Sequence, residues 1–211
     1  NAPAGWATRA DTAVADAIDL AHAEHPDLDV VGTVVRGTVS DVLAERAKRA
    51  ARLVIASHVV IGSALGVRLP CPVLVVHDAR QWASLGTALP RSGPILVGVN
   101  GSLASHRALR MGFGEAAARQ APLEAVRVTS AATPLNERLD QAEQLGGDVD
   151  LWRAVFPGVR SDVQVVLGDP AAVLGKLSLG ALITVIGAHG GDSVVGVRLG
   201  SVTQRVLLDA A

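Results

Sequence analysis

The residues of greatest chemical promise are Gly187-Ala188-His189-Gly190 and, after nine further residues, Gly200-Ser201. Glycines at this spacing free the backbone and let its N–H groups close on an anion. The final pair precedes a helical stretch, residues 202–208, whose first turn offers unpaired N–H groups and the positive end of a dipole. Ser201 is suited to capping that helix and to donating its hydroxyl. Arg198, in the intervening loop, reads equally as an added positive charge or as a solvent-facing arginine. This is the chemistry of phosphate binding, and it begins where a buried strand, residues 182–186, runs out.

The elements that must position this loop form an internal repeat. Thr33-Val34-Val35-Arg36-Gly37 matches Gln164-Val165-Val166-Leu167-Gly168 at a displacement of 131 residues, and His25-Pro26 matches Phe156-Pro157 at the same displacement. Gly66-Val67-Arg68-Leu69 recurs as Gly196-Val197-Arg198-Leu199 at a displacement of 130. Each copy reads as strand, helix, strand, loop. The first has a strand over 32–35, a helix over 39–52 and a strand over 53–56. The second has a strand over 163–167, a helix near 170–180 and a strand over 182–186. A prefix adds a strand at 95–99, a helix at 105–119 and a strand at 123–128. Such alternation predicts an α/β fold with a parallel, doubly wound sheet, whose ligands bind beyond the carboxyl ends of the strands. The expected organisation is a first copy over 1–80, a linker over 81–93 and a second copy over 94–211. The copies are unevenly complete, which predicts segments missing before Asn1, between Leu69 and Pro70, and after Ala211.

Composition agrees with helix-covered parallel strands. Hydrophobic residues make up 49% of the chain while aromatics are limited to three Trp and two Phe, so the core must be aliphatic. A formal net charge of −1 gives no long-range field to favour nucleic acid. No apolar run reaches the roughly 20 residues that span a bilayer. The lone Cys71 excludes an intrachain disulfide and fits a reducing compartment, so the expected location is the cytoplasm. Other signals read as structure. Gly175-Lys176 lacks the Ser or Thr of a phosphate loop, Gly112-Phe113-Gly114 falls inside a helix and suits tight packing, and His22 with His25 marks a solvated helix end.

Three segments together resemble the universal stress protein family: the run 95–102 ending in Asn100-Gly101-Ser102, the Gly187/Gly190/Gly200-Ser201 motif, and Cys71-Pro72-Val73-Leu74-Val75-Val76. The chain is similar to a tandem member, with the match covering most of the second copy and the later part of the first. The resemblance implies two five-stranded parallel α/β domains and pairing through the final strand, within the chain or in a homodimer. It also implies ATP as ligand, with any Mg2+ held mainly by the phosphates. By the same resemblance Val99, Asn100 and Val128 flank the adenine and ribose. Gly187, His189 and Gly190 wrap the ribose–phosphate portion, and Gly200, Ser201, Val202 and Thr203 hold the terminal phosphates.

Two departures shape the expected function. Asn100 stands where the family usually has aspartate, which removes support for metal-assisted hydrolysis more than for binding. In the first copy Ser57 and Val60 replace Gly187 and Gly190, which predicts one nucleotide per chain, in the second copy. The resulting expectation is an ATP-binding stress-response or growth-arrest regulator, non-catalytic or a very slow ATPase, acting through conformation or a protein partner. The alternatives are an adenine-nucleotide hydrolase or adenylyl-transferring enzyme, and a nucleotide-free scaffold.

Overall fold

Aliphatic runs bounded by glycine or proline form short strands here, and the stretches between them form helices. The computed structural model describes residues 6–57, 69–77, 92–188 and 199–209. Its helices are α1 (Trp6–Glu24), α2 (Val39–Ala47), α3 (Leu103–Arg119), α4 (Leu135–Val155), α5 (Pro170–Ser178) and α6 (Ser201–Asp209). Its strands are β1 (Leu53–Ala56), β2 (Val73–Val76), β3 (Ile95–Gly98), β4 (Leu123–Thr129), β5 (Ser161–Leu167) and β6 (Ile183–Ile186). All recorded strand pairs are parallel: β1 with β2, and a four-stranded sheet in the order β5-β4-β3-β6. The five-stranded sheets expected are therefore represented by four strands in the second copy and two in the first, among the described residues.

The larger sheet is doubly wound. Ile95, Val97, Leu123 and Ala125 face Leu109, Phe113 and Ala116 of α3 and Leu145 and Val149 of α4. Leu96 and Val126, one residue out of phase, face Ala171 and Leu174 of α5 and Val206 of α6. This alternation is that of strands covered on both sides. Gly112 lies against the Val97 side chain with no room for a Cβ and Phe113 is fully buried, which bears out tight packing inside α3 at these two positions, whereas Gly114 faces open space.

The repeat extends to backbone detail. Gly37 and Gly168 share φ of +152° and +150°. The next residue in each copy, Thr38 or Asp169, caps the following helix by accepting from the N–H three residues on. The helices so started, α2 and α5, are both nine residues long. The copies also touch. The guanidinium of Arg52, just before β1, meets the carboxylate of Glu115 on α3, which Arg119 holds from its other side. Glu115 is 4% exposed.

Two readings are corrected. Residues 32–35 form no strand, although their counterpart β5 does. A strand exists through its ladder, and among the described residues no strand lies beside 32–35 to pair with it. The 21-residue α4 was not foreseen: Gly146-Gly147 interrupts its sequence like a turn, and its exposed Leu135, Leu139, Leu151 and Val155 blur its apolar face. Smaller differences lie at element ends, where α2 stops at Ala47 rather than continuing to 52. Most of the linker expected at 81–93, and Val60, lie outside the described residues.

Candidate functional site

The chain passes outward from β3 through β4 to β5 and then returns to β6 on the other side of β3. At such a reversal, beyond the carboxyl ends of β3 and β6, lies the crevice position where ligands of doubly wound sheets bind. Gly98 pairs with Ile186 on the last rung, so Val99 and Asn100 leave β3 at the height where Gly187 and Ala188 leave β6.

On the β6 side, local bonds bring a helix end to the crevice. The Gly200 N–H donates to the Ala188 carbonyl at 2.9 Å, and the Thr203 hydroxyl donates to the Gly187 carbonyl at 2.9 Å. These two bonds fix the start of α6 beside the end of β6. Gly187 permits this by its size: a Cβ there would stand 2.9 Å from the Ala104 Cβ and 3.0 Å from the Ala104 carbonyl carbon. The first-turn N–H groups of α6 have no acceptor within the helix, and its dipole adds positive potential there.

The structure redistributes the expected roles. Ser201 is the first residue of α6 rather than its cap. Gly200 holds the capping position, its carbonyl accepting from the Gln204 N–H at 3.0 Å. Ser201 is exposed, which leaves its hydroxyl facing outward. Thr203 is 8% exposed and spends its hydroxyl proton on Gly187, so it braces the loop and offers an anion its backbone N–H. Val202 and Val128 are half-buried against one apolar cluster on the α5–α6 face. Val99 is buried in the opposite core, so what it can offer a ligand is backbone. His189 and Gly190 lie outside the described residues.

At the end of β3, Asn100 forms a local turn in which its Oδ1 accepts from the Ser102 N–H at 3.1 Å. Gly101 follows with φ of +79°, a left-handed conformation that favours glycine. Ser102 then caps α3, accepting from the Ser105 N–H at 3.3 Å. One residue that sequence reasoning missed stands here. Arg127, next to Val128 on β4, brings its guanidinium to 3.6 Å from where a Gly101 Cβ would be. The signal was a cation two residues from a strand's carboxyl end. A second missed feature braces the floor. Asp169, the cap of α5, pairs with Arg205 of α6 at 3.1 Å. The Ala172 N–H, and then the Arg205 guanidinium, hold its carboxyl below the usual carboxylate range.

The fold and crevice define a doubly wound α/β domain with an anion-ready helix end at its switch point. The model of the universal stress protein family matches residues 92–211, and the chain belongs to that family. It is 33% identical over 159 residues to a universal stress protein of Mycobacterium tuberculosis H37Rv, covering 70% of this chain and 51% of that protein. The chain thus spans about half the length of the curated relatives it matches. A universal stress protein from Archaeoglobus fulgidus DSM 4304 shares the fold over 95% of this chain and 72% of its own, with a TM-score of 0.66 at 16% identity. Another from Archaeoglobus fulgidus, solved in complex with dAMP, aligns at a TM-score of 0.43 and 24% identity over 55% of this chain and 90% of that one. Among the described residues, no helix is long and apolar enough to cross a membrane.

Proposed function

We propose that the crevice of the second copy binds one adenine nucleotide, ATP with any Mg2+ held mainly by the phosphates, and that the chain acts as a nucleotide-dependent regulator. The observation that carries this reading is the stitching of α6 to the end of β6 through Gly200–Ala188 and Thr203–Gly187. It fixes a helix N-terminus and the backbone of Ser201, Val202 and Thr203 at the switch point, the environment that favours phosphate. The Gly187–Ala104 contact supports a tightly drawn loop. Family resemblance supplies the adenine and assigns the wrapping of ribose and phosphate to His189 and Gly190.

Asn100 supports binding over turnover, because it lacks the charge that would help a metal. In the first copy Ser57 occupies the place of Gly187 and is 6% exposed, a buried side chain where the second copy has none. This supports a degenerate first copy (1–80) joined by residues 81–93 to a working second copy (94–211). The regulatory output is a change in domain pairing, within the chain or between two chains in the cytoplasm, or in the choice of protein partner.

Selective binding to the native state must raise its stability. The melting temperature of the full chain should therefore rise with ATP concentration and respond less to GTP. An unchanged melting temperature at millimolar ATP would favour a nucleotide-free scaffold. Turnover above about 1 per second would place the protein among ordinary enzymes instead.

A further inference from the structure

Beyond the 5′-phosphate end of the crevice, the β3–β4 end is built to receive a second anion. Asn100 has one lone pair of its Oδ1 taken by the Ser102 N–H, and its amide NH2 adds a donor that an aspartate would lack. An aspartate in that position would keep a second oxygen as an acceptor for a ribose hydroxyl. The polarity of the strand end is thus inverted. Arg127 adds to the inversion. The residue is half-buried, its guanidinium lies beside Gly101, and its hydrogen-bond partner is the neutral Gln144 Oε1 at 3.4 Å, a bond on the exposed side. Asp148, one helical turn beyond Gln144, lies 3.6 Å from His106 instead. Among the described residues no carboxylate comes within salt-bridge distance of Arg127, and a guanidinium with only a neutral partner is free to take a bidentate oxyanion.

Gly101 lets the guanidinium come close, since it carries no side chain on that side. The start of α3, capped by Ser102, directs its positive end to the same place. Arg127 lies two strands from β6, about 10 Å, and its side chain reaches back over part of that span to Gly101. A ribose laid across the strand ends, with one phosphate at α6, directs its 2′ and 3′ positions toward Asn100 and Arg127.

We infer that Asn100 and Arg127 form an anion subsite for a phosphate carried on the ribose, so that the preferred ligand class is an adenine nucleotide phosphorylated at the 2′ or 3′ position as well as the 5′. This deepens the proposed function and rests on it, because the same crevice must first accept an adenine nucleotide. The subsite makes no covalent change; it selects.

Calorimetric titration of the full chain with AMP, adenosine 3′,5′-bisphosphate and adenosine 2′,5′-bisphosphate tests it. One bisphosphate should bind about tenfold or more tightly than AMP, as expected for one charge-assisted bidentate contact. Arg127→Gln should bring that ratio to about one, Arg127→Lys should retain part of it, and Asn100→Asp should reduce it by placing a negative charge at the subsite. AMP binding with no preference for either bisphosphate, or a preference untouched by Arg127→Gln in a variant of normal melting temperature, overturns the subsite alone. Binding of none of the three, nor of ATP, overturns the nucleotide reading and the subsite together.

Discussion

The Thr203 hydroxyl donates to the carbonyl of Gly187 across sixteen residues of sequence, at 2.9 Å. That bond ties the first turn of α6 to the exit of β6, and with it the orientation of every N–H group that α6 presents to the crevice. Thr203→Val keeps the shape and removes the donor, leaving a part-buried carbonyl without its partner at a cost of about 1–3 kcal/mol. The variant should melt lower and bind ATP several-fold more weakly, while Thr203→Ser should restore most of both. Thermal denaturation with and without ATP reads the two effects separately.

Gly187→Ala tests the close approach on the other side of the same loop. The added Cβ meets both Cβ and backbone of Ala104, and backbone cannot rotate away. Overpacking of this kind costs about 1–3 kcal/mol. We expect that loss in urea denaturation, together with at least a tenfold loss of ATP affinity as the loop is pushed off α3. Normal stability and affinity would mean that the loop does not rest on α3 as described.

Glu115, buried on α3, is shared between Arg119 of its own helix and Arg52 from the first copy. Arg52→Ala should destabilise by up to about 1.5–3 kcal/mol, the range for hydrogen bonds to charged groups, and by less in so far as Arg52 is partly exposed and Arg119 still holds Glu115. Because the pair is in contact, Arg52→Ala and Glu115→Ala should be non-additive by at least about 0.5 kcal/mol in a double-mutant cycle. Additive losses would show that the two copies are not coupled through this contact.

Asp169 gives the molecule an acid-sensitive element. Its folded pKa is depressed, first by the Ala172 N–H and then by Arg205, so its contribution is present above the unfolded carboxylate value of about 4 and is lost as pH falls through the folded value. Asp169→Asn retains a capping side chain without the charge. The stability advantage of the wild type over this variant should therefore be flat near neutrality and shrink below about pH 4. A constant difference down to pH 2 would contradict the assignment.

The parts of the fold legible in the sequence were those with a local cause. β3, β4, β5 and β6 are aliphatic runs closed by Gly, Pro or Asn, and α5 begins with the capping pair Asp169-Pro170. Repetition made the larger plan visible, since Gly37 and Gly168 take the same backbone conformation. What escaped depends on partners distant in sequence. Residues 32–35 have strand-like composition and no ladder, while α4 is helical through its packing on β4 and β5 despite Gly146-Gly147. In the site, glycine spacing pointed to the loop but could not say that Thr203 braces it or that Gly200, rather than Ser201, holds the cap position. Arg127 escaped for a related reason: its position near a strand's end was legible, but its meaning comes from Gly101, at the exit of the neighbouring strand β3.

The most direct test of the central claim is the stoichiometry of ATP binding to the full chain, measured by calorimetry. One site per chain, lost or weakened at least tenfold in Gly187→Ala, is the predicted result. Two equivalent sites, or no binding at millimolar ATP, would contradict it.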